Sequence, residues 1–157
     1  MCELESGMRQ NESHAGTLKC QKDVLSYQSG SHSWSVGVSD IVLVGEYTTS
    51  DGPLADDYFL VFFTAQQSEG WHQASFYAEG RDEALATLAE IFGRPLQLGL
   101  CNSANFKSQI IWPHSVAEKV LFDLIPHSKI LGRFRQKWLG ASVEFVLSDA
   151  AISILKR

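Results

Sequence analysis

The sequence predicts an α+β fold, a mainly antiparallel sheet covered by helices. Three observations carry this. Apolar and alternating segments follow one another over residues 34–78 with no helical stretch between them, as strands joined by turns do and as strands joined by crossover helices do not. At Arg81 the apolar spacing changes to three and four residues, the period of a helix packed on one face. Past Pro95 the two periods alternate again to the C-terminus. The expected order is β-β-β-α-β-β-α-α-β-α.

Residues 1 to about 30 are rich in Glu, Gln, Ser, Asn, His and Gly. They read as a mobile polar tail, with too little apolar surface to offset the entropy of ordering. One α+β domain is then expected over residues 31–157. Its first strands come from Trp34, Val36 and Val38, which alternate with small residues, and from the buried run Ile41-Val42-Leu43-Val44. Asp51-Gly52-Pro53 is a turn, because glycine supplies positive φ and proline stops pairing. Tyr58–Thr64, aromatic and β-branched, is a central strand, and Trp71–Ala78 alternates as a third. Phe62 and Phe63 point to opposite faces, so both faces of that sheet need cover.

Asp82 and Glu83 open a helix whose apolar stripe is Ala84, Leu85, Leu88, Ala89, Ile91 and Phe92, and Gly93 with Pro95 stops it. Leu96, Leu98 and Leu100 alternate as a strand, Asn102–Asn105 is a turn, and Phe106–Trp112 returns as the next strand. Ser115 caps an expected helix ending before Pro126, and Ile130–Leu139 carries a second helical stripe. Ala141–Leu147 is a strand, and Ser148-Asp149 caps a final helix.

With 157 residues, 45% hydrophobic and 20% charged, the chain has the composition of one globular domain rather than of a disordered one. No apolar run is long enough to span a bilayer, and no secretory leader is evident. The three cysteines, Cys2, Cys20 and Cys101, form no CxxC pair, so reduced thiols and a cytoplasmic location are expected. The net charge of −5 is uneven: −1 over residues 1–30, −8 over 31–126 and +4 over 127–157. An acidic body does not bind nucleic acid, where affinity rests on neutralising phosphates.

No GxGxxG, Walker or GxSxG motif occurs, and none of the five histidines has HxH or HExxH spacing. Glu46, Asp51, Asp56 and Asp57 surround a turn. Oxygen ligands there could hold Ca²⁺ or Mg²⁺, but turn chemistry explains them as well, so no metal and no cofactor is expected. Cys101 ends a strand in acidic surroundings, which disfavour a thiolate, and reads as an inert buried thiol. Nine aromatic residues crowd Trp34–Tyr77, as a core or as the lining of a ligand groove near His72 and Cys101.

The remaining feature is a basic amphipathic segment over residues 129–139, with Arg133, Phe134, Arg135 and Trp138 as the expected partner-binding residues. The function these readings support is a non-catalytic binding or regulatory module acting through protein–protein contact, with a protein partner or a second copy. The first alternative is a small-molecule-binding protein or enzyme using the aromatic region near His72 and Cys101. The second is a peripheral membrane adaptor through residues 129–139, which would rest on a single short helix.

Overall fold

The computed structural model describes residues 15–30, 32–50, 52, 55–65, 70–126, 135–137 and 143–156. Over these the protein is a small mixed α/β protein with antiparallel sheets and two α-helices. The strands are β1 (Thr17–Gln21), β2 (Val24–Ser29), β3 (His32–Gly37), β4 (Ile41–Thr48), β5 (Tyr58–Thr64) and β6 (His72–Ser75). Helix α1 (Arg81–Phe92) follows, then β7 (Lys107–Trp112), β8 (Phe122–Pro126), β9 (Arg135–Lys137), β10 (Val143–Leu147) and α2 (Asp149–Leu155). Three sheets result, in the orders β1-β2-β3, β6-β5-β4-β7 and β8-β10-β9.

The four-stranded sheet is central and both of its faces are buried. On one face, Val44, Leu60 and Phe62 meet Leu18 and Leu25 of the first sheet and Leu88 of α1. On the other, Leu43, Val61 and Phe63 meet Phe122, Phe145 and Ala151 of the third sheet and α2. The back-to-back demand of Phe62 and Phe63 is thus met by two separate covers.

Several elements depart from the sequence-based expectation. The polar tail expected to residue 30 is a β-hairpin over Thr17–Ser29. Its inward residues Leu18, Leu25 and Tyr27 are buried, while Thr17, Lys19, Ser26 and Gln28 alternate on the outer face. A polar outer face lowers the mean hydropathy of the segment and hides its period of two. Lys22 and Asp23 adopt φ of 50° and 61°, the mirror-image turn that a two-residue hairpin needs. Residues 1–14 lie outside the described residues.

Leu96–Leu100 is not a strand but an extended strap without a ladder partner. The helix expected after Ser115 is a 3-10 turn (His114–Val116) followed by β8. The reason is packing. A side chain at Gly45 would collide with Leu121 Cδ2, so the absence of one opens a slot on β4 that Leu121 fills, with Phe122 buried beside it. The helix expected over Ile130–Leu139 is broken by β9, whose Arg135 and Lys137 pair in register with Val146 and Glu144. The remainder of that segment lies outside the described residues. Ser148 does cap α2, accepting from the Ala151 N–H at 3.3 Å.

Candidate functional site

The most unusual side chain in the core is Glu46, fully buried on β4. A charged residue in the run Ile41–Tyr47 needs partners, because a bare carboxylate away from water is costly. The sheet register supplies them. Gln109 on β7 lies directly opposite Glu46, and Tyr58 lies on its other flank, diagonal across β5. The Gln109 side-chain amide donates to Glu46 Oε1 at 2.5 Å, and the Tyr58 hydroxyl donates to Oε2. The strap completes the set: the Gly99 N–H donates to Oε1 at 2.7 Å, and the Leu100 N–H also reaches the carboxylate. A Cβ on residue 99 would come within 2.6 Å of Gln109 Nε2, so a side chain here would displace the Gln109 amide.

Burial pushes the Glu46 carboxyl above its ordinary range, against the pull of these four donors. Burial and the neighbouring Glu46 push the Tyr58 phenol upward as well, so it stays protonated and remains a donor. Tyr58 stacks on Phe76 at 3.8 Å, and the Arg81 guanidinium lies 3.8 Å over the outer face of Phe76 while donating to its carbonyl at 2.7 Å. Chemically the pair can hold and share a proton. With Glu46 at 0% and Tyr58 at 3% exposure, it offers no atom to a substrate. Its action is to pin the strap and the start of α1 to the central sheet. The clue in the sequence was a lone Glu inside an apolar strand; grouping it with the acidic turn missed that.

The other candidates do not converge. His72 is half-buried beside Trp34, at 5.2 Å between ring centroids, with burial and the nearby His32 holding its pKa below the ordinary value. Cys101 packs on a different cluster, that of Tyr58, Phe76 and Leu100. It is disulfide-bonded, with its partner outside the described residues, while Cys20 is free; this corrects the expectation that Cys101 is a thiol. Asp57 accepts from the Tyr77 hydroxyl at 2.6 Å on the surface, and Asp51 lies outside the described residues. Among the described residues no three His, Cys, Asp or Glu side chains stand close enough to hold a metal ion, and no helix is long and apolar enough to cross a membrane. Of the expected partner-binding residues, Arg133, Phe134 and Trp138 lie outside the described residues. Arg135 is placed only as a backbone position on β9.

Shallow depressions lie on the surface of the described residues. One, of about 360 Å³, lies between the end of α1 and the 113–118 loop, with Arg94, His114 and Glu118 at its rim. Another, of about 440 Å³, lies on the outer face of the first sheet over Lys19, Ser26, Gln28, Ser33 and Ser35. It runs along β3, and there the sheet edge is open.

The edges at β1, β6, β7 and β8 differ from this one. β1 is bridged by Glu79, which accepts from the Leu18 N–H at 2.8 Å and donates to the Gly16 carbonyl at 2.9 Å. On β6, the Gln73 carbonyl accepts from the Trp34 indole at 2.8 Å. On β7, Ile110 exchanges two bonds of 2.8 Å with Glu118 and Lys119. The start of β8 is tied at Phe122 to the Ser108 hydroxyl. On β3 the register Ser29↔His32, Tyr27↔Trp34 and Leu25↔Val36 turns the peptide groups of His32, Trp34 and Val36 toward β2, because a two-residue hairpin closes on a hydrogen-bonded pair. Those of Ser33 and Ser35 point away and have no partner among the described residues. The strand His-Ser-Trp-Ser-Val-Gly holds no Lys, Arg, Asp, Glu or Pro and no bulge, the devices that usually protect an edge.

Comparison with protein-family models, with curated proteins and with solved structures gives no match to this chain.

Proposed function

We propose that the chain is a non-catalytic binding module that acts through protein–protein contact, taking an extended segment of its partner as an added strand on β3. The observation that carries this reading is the pair of peptide groups at Ser33 and Ser35, which have no partner among the described residues, whereas β1, β6, β7 and the start of β8 are each tied from within the chain. Strand addition obtains affinity from main-chain hydrogen bonds and selectivity from alternate side chains. The serine hydroxyls and the depression beside them would receive the side chains of such a segment. The basic segment remains a second contact in this reading. In it, Arg133, Phe134, Arg135 and Trp138 would meet acidic groups of the partner.

The test is amide hydrogen exchange read by NMR on the full chain, with a panel of synthetic extended hexapeptides of alternating apolar and polar residues. The expected result is slowed exchange at the Ser33 and Ser35 amides. A panel that leaves both amides unprotected overturns the reading. So does a panel that binds with every protected amide lying in the 113–118 depression, which would move the function to a small-molecule class.

A further inference from the structure

Three features of β3 indicate what occupies it. The strand holds no Lys, Arg, Asp or Glu, within a chain of net charge −5, so its edge offers no carboxylate to a basic partner and no ammonium or guanidinium to an acidic one, and sets no like charges against a second copy of itself. Its centre is symmetric in sequence: Ser33-Trp34-Ser35 reads the same in both directions. An antiparallel copy centred on Trp34 therefore sets Ser33 against Ser35 and Ser35 against Ser33, the isologous arrangement that a twofold axis requires. The backbone phase also suits it. Ser33 and Ser35 present the outward peptide groups, so they form the hydrogen-bonded pairs, and the two Trp34 residues fall on the non-hydrogen-bonded pair between them. That is the position where side chains stand closest and aromatic pairs contribute most. Trp34 is only half-buried in the single chain, packed on Tyr27, Phe62 and His72, so it has surface left to cover.

We infer that the occupant of the β3 edge is a second copy of this chain, giving a twofold dimer with a continuous six-stranded sheet in the order β1-β2-β3-β3-β2-β1. The inference rests on the reading that β3 accepts an added strand, and it names the partner. In the dimer the outer rows Thr17, Gln28, Ser33 and Lys19, Ser26, Ser35, aligned by register, run on across the axis. The two depressions over β3 become one trough.

The experiment is sedimentation velocity on the full chain with charge variants at exposed positions. Ser33 and Ser35 are both exposed, so substitution leaves the core untouched. Ser33→Glu with Ser35→Glu puts like charges opposite each other across the axis, as does Ser33→Lys with Ser35→Lys. The expected result is a wild-type dimer, monomers for each double variant alone, and a dimer restored on mixing the Glu and Lys variants. The Ser33 and Ser35 amides exchange slowly in the wild type and fast in the monomers. A wild-type chain monomeric up to about 1 mM overturns the dimer. If the hexapeptides then still protect the Ser33 and Ser35 amides, strand addition survives with another partner; if they do not, both readings fall. A dimer that persists in both double variants uses another face and overturns the inference. Melting curves of the variants that match wild-type monomer confirm that loss of the dimer is not loss of the fold.

Discussion

Replacing Glu46 by leucine keeps nearly the same volume and removes the shared acceptor of three hydrogen bonds. The Tyr58 hydroxyl, the Gln109 amide and the Gly99 N–H all lose this partner. A buried donor left unsatisfied costs about 1–3 kcal/mol, so the lower end of that range for each gives about 3 kcal/mol. The Tyr58 hydroxyl can rotate and the strap can lift toward water, which holds the total to about 2–4 kcal/mol. That is a large part of the about 5–15 kcal/mol stability of a domain. Urea unfolding at constant temperature measures it, with an unchanged m-value showing that the native state stays compact. A loss below about 1 kcal/mol would refute the reasoning, since it would mean that the donors have other acceptors. Glu46→Gln retains an acceptor for Gly99 and Gln109 and so costs less. It also isolates the proton. Burial raises the Glu46 pKa from its ordinary 4.5, so the fold binds this proton more tightly than the unfolded chain does. The carboxyl's contribution is therefore complete below the ordinary value and is lost as pH rises through the raised one. The stability gap between wild type and Glu46→Gln should narrow as pH climbs from 4.5 toward neutrality. A gap that widens over that window would show that the ionised form is the one the fold prefers.

Four further outcomes follow from the packing. Leu25→Ala, in the hairpin that resembles a tail by composition, should cost about 2–5 kcal/mol in denaturant unfolding; a mobile segment would show no change. Gly45→Ala should destabilise by about 1–3 kcal/mol, and Leu121→Ala in the same chain should recover part of it. Ser148→Ala removes the cap on the Ala151 N–H and the bond to the Val120 carbonyl, for a loss of about 1 kcal/mol in thermal unfolding. Iodoacetamide should modify Cys101 only after reduction, whereas Cys20, its thiol pKa raised by burial, should react slowly at neutral pH with or without reductant.

The elements that could be read from the sequence are those in which local pattern and tertiary need agree. The Arg81–Phe92 helix, the Tyr58–Thr64 strand and the Ser148 cap each have a local signal and a burial pattern that coincide. The elements that could not be read are those fixed by a distant partner. Leu96, Leu98 and Leu100 alternate like a strand, but they are held by a carboxylate more than fifty positions away. Val116–Leu124 carries helical spacing, yet the slot over Gly45 draws Leu121 into the core and β10 recruits the next residues as an edge. Thr17–Ser29 has only half of its residues inward, so an average over the segment looks like solvent. The site followed the same rule. Glu46 was visible as an acid, but its partners on β5, β7 and the strap are defined only by register.

The central sheet also acts as a partition. Phe62 and Phe63 are neighbours in the chain and belong to different cores, so substitutions at the two should add almost independently, as separated sites do. Leu18 and Leu88 are seventy positions apart and share one core; their losses should couple. Each half of the molecule can therefore accumulate changes without consulting the other, and each can open alone while the strands between them stay paired. Evolutionary drift on the face bearing the open strand leaves the opposite core undisturbed, and the reverse holds as well.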